Sequence, residues 1–203
     1  MPDGVPATPT APRPRLLAAA RAVLSRDGLE GLTLRAIARE AGVSHGAPLR
    51  HFPSLAALLS ALAAQGFHEL MAEIIQAAGP PEVPGARRRL SRAGAAYVRF
   101  AVREPGVFGV MFRPERLDTT DPEYQAAGSA SFDQLVRLVI AAQDEGWQPH
   151  QPPERLAGVL WSNVHGLAQL WLHGALQSVV PIEAPDELVE LSSRLVLDLD
   201  ASE

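Results

Sequence analysis

The chain lacks cysteine altogether, and every basic side chain is an arginine. Without thiols it forms no disulfide and offers no thiolate nucleophile. Aromatic residues are few, at 5%. Strand-like alternation is scarce, and there is no internal repeat. No run approaches the length of uncharged apolar sequence that a bilayer span requires, so no membrane partner is expected. The N-terminal stretch is rich in Pro, Ala and Thr, with no apolar run after a basic start. It does not read as a signal peptide, which leaves the cytoplasm as the expected compartment and residues 1–13 as a disordered arm.

What is present is an ordinary apolar share, 47%, enough for a core. The formal net charge is −5, but it is unevenly spread. Residues 1–66 hold seven arginines against four acids, a positive excess of three. Residues 67–203 hold eleven against nineteen, a negative excess of eight. A basic head on an acidic body suggests that only the head meets a polyanion.

Apolar spacing is helical nearly throughout, and about nine helices are expected in an all-α fold. The first runs from Pro14 to Asp27 with Leu16, Leu17, Ala20, Val23 and Leu24 on one face, and Gly28 ends it. Thr33 caps a short second helix to about Ala41. Ser44 caps a third to about His51, and Ser54 a long fourth to about Ala78. The stretch Gly79 to Gly85 is a breaker. Further helices are expected over 86–103, through Phe112, and over 123–145, 154–179 and 186–199, with a loop over 113–122.

The informative segment is TLRAIAREAGVSHGAPLRHFPS, Thr33 to Ser54. Gly42 permits the left-handed backbone of a tight helix-to-helix corner, and Val43 can plug the small core between the helices. Such a helix-turn-helix sets its second helix in the major groove, with its N-terminal residues at base edges. Ile37, Ala38, Ala41, Gly42, Val43, Ser44, Gly46, His51, Phe52, Leu58 and Leu59, with the preceding helix that ends in Asp27-Gly28, resemble the DNA-binding region of the TetR family of regulators. The resemblance covers about residues 14–65. It implies a helix-turn-helix DNA-binding domain over 14–60 and a helical ligand-binding and dimerisation domain over 61–203. Its expected partners are a double-stranded operator, a small-molecule effector and a second copy of the chain.

Thr33, Arg35, Ser44 and His51 are the phosphate candidates, with Arg15 beside them; His45, Gly46, Ala47, Pro48 and Arg50 are the base-edge candidates. Arg50 suits either a guanine edge or a phosphate. Two positions depart from the family. Leu49 stands where an aromatic is usual and Leu55 where lysine is usual, and both losses weaken phosphate anchoring. They keep open a second reading, a TetR-like ligand- or protein-binding module with weak or lost DNA binding.

In the body, Tyr97, Phe100, Phe108, Met111 and Phe112 surround the Pro105-Gly106 corner. Trp161, Val164 and His165 share a helical face. These eight residues are candidates for an apolar ligand wall with polar handles, and equally for ordinary core. The segment WSNVHGLAQLWLHG, Trp161 to Gly174, resembles a Trp-His-Gly class of TetR C-terminal domain. Leucines 188, 191, 195 and 199 on the last helix, and the strip Leu167, Leu170, Trp171, Gly174 and Ala175 before it, are expected to pair two subunits or to cover the chain's own core. No nucleophile elbow, phosphate-binding loop or dinucleotide fingerprint is present, and His68, Glu69 and Glu73 do not converge on a metal. No catalytic residue, metal or cofactor is expected.

Overall fold

The computed structural model describes residues 13–199. The expected disordered arm therefore lies outside the described residues, except for Arg13, which opens the first helix. Among the described residues the fold is all-helical: α1 (Arg13–Asp27), α2 (Leu34–Glu40), α3 (Leu55–Ala78), α4 (Ala86–Arg103), α5 (Pro105–Met111), α6 (Pro122–Asp144), α7 (Pro153–Leu172) and α8 (Pro185–Leu197). Two 3₁₀ turns, Pro48–Arg50 and Pro114–Arg116, complete it.

Caps set the helix ends. Thr33 Oγ1 accepts the Ala36 N–H at 3.1 Å and Ser54 Oγ the Ala57 N–H at 3.0 Å, each satisfying an orphan first-turn donor. α2, α6 and α7 end in the same way, with a left-handed glycine after the last turn. At α2, Gly42 (φ 64°) donates to the Arg39 carbonyl and Val43 to Ala38. At α6, Gly146 donates to Gln143 and Trp147 to Ala142; at α7, Gly174 donates to Trp171 and Ala175 to Leu170. This paired closure satisfies carbonyls that a frayed end leaves bare.

Two expected elements differ. The eighth helix stops at Leu172 instead of Val179, because Gly174 (φ 74°) turns the chain out. The third is not an α-helix. Pro48 has no N–H to give the Ser44 carbonyl, which takes the Ala47 N–H at 2.9 Å instead. Arg50 then donates to Ala47 at 3.2 Å and His51 to Pro48 at 3.0 Å. The three-residue spacing is that of a 3₁₀ turn.

The described residues gather into two compact units, 13–66 with 106–125, and 67–105 with 126–199. In the first, Leu16, Ile37, Leu58, Leu59 and Leu62 are fully buried, each contributing about 1.5–3 kcal/mol. Glycines let α5 sit tight within this unit. A methyl group at Gly106 would lie 2.8 Å from Leu24 Cγ on α1, and one at Gly66 would lie 2.7 Å from Val107 Cγ1 and 2.8 Å from Met111 Sδ. Buried Ser60 donates to the Asp118 carbonyl at 2.9 Å and holds the following loop.

In the second unit, α4 packs against α7 and α8. Ala86, Leu90 and Ala93 join Leu138, Val139, Ala142, Trp147, Ala157 and Leu197 in one core. Glu145 caps α4 from a distance in sequence. Its carboxylate accepts the Gly85 N–H at 3.1 Å and the Ala86 N–H at 2.8 Å, where the helix dipole favours negative charge. Buried Arg89 donates to the Val83 carbonyl and lies 4.0 Å from the same carboxylate. Ser192 Oγ to Asn163 Oδ1, 2.6 Å, ties α8 to α7.

Among the described residues one helix, α3, is long and apolar enough to cross a membrane by length and composition. This corrects the expectation drawn from uncharged runs alone. In the protein 61% of that helix's most apolar window is buried, which accounts for its composition as core.

Candidate functional site

The head presents α2, the glycine corner and the 3₁₀ turn in succession. Burial along the last two alternates in short runs: Ser44, His45 and Gly46 face out, Ala47 and Pro48 face in, Leu49 and Arg50 face out, and Phe52 faces in. Ala47 is 5% exposed and Phe52 2%. Ala47 and Pro48 are therefore corrected as base-edge candidates. The tight turns that Pro48 forces rotate both into the head's core. Ser44 joins the turn through its main-chain carbonyl, and no side-chain hydrogen bond caps the 3₁₀ helix. Thr33, Arg35, His45, Gly46 and Arg50 are exposed; His51 is half-buried, with an Nε2 that is enclosed and has no hydrogen-bond partner.

Six of the head's seven arginines divide into two groups. Arg26 is held by Asp27 (3.0 Å) and Glu40 (2.9 Å), and Arg13 lies 3.6 Å from Glu123 and over the Phe52 ring. Arg35, Arg39 and Arg50 are exposed on α2 and the turns. Arg15 is exposed too, its guanidinium beside the corner, 3.4 Å from where a Gly42 methyl would sit. That proximity joins α1 to the corner, and sequence spacing could not give it.

The body site is built on α4 and α7. The Tyr97 hydroxyl accepts the Trp161 Nε1–H at 3.2 Å and lies 2.7 Å from His165 Nδ1. The Gln169 side-chain amide lies 3.3 Å from His165 Nε2. Both imidazole nitrogens therefore have partners, and a neutral ring serves them by giving one proton and accepting one. Burial lowers the His165 pKa, because it disfavours the charged ring. Burial also raises the Tyr97 phenol well above its ordinary value, against an opposing pull from the Trp161 hydrogen bond. The site is thus an uncharged relay. Trp161 meets His165 and Phe132 edge-on, at 6.0 and 6.2 Å between ring centroids.

Of the eight residues expected to line a ligand wall, Tyr97, Trp161 and His165 are joined directly. Val164 is one turn from them and faces Gly94, where a methyl would lie 3.2 Å from Val164 Cγ1. Phe100 is fully buried under the Arg103 guanidinium. Phe108, Met111 and Phe112 belong to the first compact unit, where Phe108 and Phe112 pack edge-on at 5.1 Å. Gln169 and Phe132 were not among the expected residues. Gln169 stands four positions after His165 on one helix, a spacing that could have exposed it. Phe132 comes from α6, and only tertiary packing brings it in.

Comparison with known proteins places these features. A family model described as bacterial regulatory proteins, tetR family, matches residues 16–62. A second, described as tetracyclin repressor-like, C-terminal domain, matches residues 90–195. Comparison with curated proteins gave no match. Among solved structures, a protein of unknown function from Rhodococcus sp. RHA1 is 36% identical, with a TM-score of 0.79 over 92% of this chain and 93% of that one. A tetR-family regulatory protein from Rhodococcus RHA1 is 22% identical, with a TM-score of 0.70 over 92% and 95%. The fatty acid degradation regulator FadR from Bacillus halodurans is 14% identical, with a TM-score of 0.73 over 97% of each chain.

Proposed function

The chain belongs to the TetR family of bacterial regulatory proteins, and from that premise we propose that it is a cytoplasmic homodimeric repressor, released from a palindromic operator by a small molecule. The observation that carries this reading is the exposed face His45, Gly46, Leu49 and Arg50, held on a glycine corner between capped helices. Thr33, Arg35, Ser44 and His51 are assigned to phosphates, and His45, Gly46 and Arg50 to base edges. His51 has an enclosed nitrogen without a partner, so a phosphate would reach it only by local opening.

The body, residues 61–203, is assigned to the Trp-His-Gly class on Trp161, His165 and Gly166, and to effector binding. Tyr97, Trp161 and His165 serve as the polar handle, with Phe100 and Val164 as apolar neighbours. Phe108, Met111 and Phe112, proposed for the same role, lie in the other compact unit. Dimerisation is assigned to α7 and α8, where Val159, Leu170, Leu191 and Leu195 are 60%, 49%, 49% and 72% exposed in the single chain. A twofold dimer offers two reading turns to half-sites about 34–36 Å apart. The effector acts by binding the DNA-incompetent arrangement more tightly, with α3, which contributes residues to both units, as the connecting element.

The test is selection of bound duplexes from random DNA by the purified protein at stated salt. A palindrome should be enriched, and its binding should weaken steeply with salt. Failure to enrich any sequence at low salt would favour the ligand- or protein-binding module instead.

A further inference from the structure

Leu49 is 54% exposed at the centre of the reading face, between Gly46 and Arg50, and no phosphate contact accounts for it. An isobutyl group held in water gains nothing for the fold, since burying it would contribute about 1.5–3 kcal/mol. Gly46 is equally unexplained by folding. Its backbone is not left-handed, and a methyl group added there would meet nothing within 4 Å. With no side chain at Gly46, the turn that precedes Leu49 stands open to solvent.

We infer that Leu49 reads a thymine through its C5-methyl group in the major groove, an inference that rests on the DNA-binding function proposed above. Thymine alone presents an apolar group on that edge; the other bases present polar atoms there, which a leucine would cover without satisfying. The surroundings fit a polyanionic duplex and not an apolar protein partner. Arg35, Arg39 and Arg50 are exposed on the same helix and turns. Gly46 leaves the clearance for the base edge to approach, and Arg50 contacts the adjacent base or phosphate.

The experiment uses the unaltered protein and the palindrome it enriches, with each thymine exchanged in turn for deoxyuridine, which lacks only the methyl group. One symmetry-related position should lose about fourfold in affinity per half-site, the worth of one buried methyl. Leu49→Ala should bind the thymine duplex about fourfold per half-site more weakly and be indifferent to the exchange, with an unchanged melting temperature because the side chain is exposed. If every exchange were neutral for the unaltered protein, or if Leu49→Ala kept the sensitivity, the inference would be overturned while DNA binding stood. If no duplex were enriched, the DNA-binding reading itself would fall and this one with it.

Discussion

The two halves of the molecule solve opposite problems with side chains. The head keeps its chemistry outside: arginines and a bare leucine stand on turns whose cohesion is almost all main chain. The body ties its polar groups to one another: buried Tyr97 shares hydrogen bonds with half-buried His165 and with Trp161, itself 38% exposed, and His165 is also within reach of Gln169. The contrast matters because exposed charge is screened by salt while buried hydrogen bonds are not. Substitutions of the head's exposed side chains should therefore change DNA binding and leave folding alone; those in the body's hydrogen-bonded cluster should weaken folding and leave DNA binding without effector alone.

Arg50→Ala should have the largest effect, about ten- to hundredfold in operator affinity and confined to one base-pair position, if its guanidinium grips guanine. A uniform loss across sequences in the same binding assay would reassign it to phosphate. Tyr97→Phe should cost about 0.5–1.5 kcal/mol of stability in urea unfolding, because the part-buried Trp161 N–H and His165 lose their common partner. Its operator affinity without effector should stay put; a fall would show that the two halves are not separable in this way.

The glycines sharpen the contrast within the head alone. Gly42→Ala should destabilise by about 1–2 kcal/mol, since φ 64° is costly for a residue with a Cβ. Gly46→Ala should leave stability unchanged or raise it by up to about 1 kcal/mol while weakening the operator complex, because only DNA would meet the new methyl. Paired thermal melts and binding titrations separate the two. The smallest effect is that of pH. His165 titrates below the ordinary 6.5, so the unfolded chain holds a proton there that the folded one does not. Stability should be full above about pH 6.5 and decline as pH falls towards the depressed folded value, then level off. The decline should be slight, since the ring is half-exposed, and His165→Gln should flatten it in urea midpoints measured across pH.

Local chemistry was legible in the sequence where it was complete in a few neighbouring residues. Thr33, Ser54, Gly28 and Gly42 mark helix ends because capping is decided within a turn. The reading element was half-legible. Pro48 was visible, but its consequence, a 3₁₀ turn that buries Ala47 and Pro48 and leaves Leu49 out, depends on which carbonyl finds which donor. The aromatic cluster around Pro105-Gly106 was not legible as two groups. Adjacency in sequence hid a division at that very corner, with Phe100 in one unit and Phe108 in the other. Contacts such as Gly106 on Leu24 span too much chain for periodicity to register.

Those glycine contacts limit how the protein can be dissected. Because 106–125 is part of the same compact body as 13–66, no single cut releases that body by itself. A piece ending at residue 66 would expose the sides of Leu24 and of the α3 backbone on which α5 normally rests, and would be expected to aggregate. A minimal DNA-reading protein would instead need 13–66 fused to 106–125 through a designed bridge, so the reader is one object in space made from two passages of the chain.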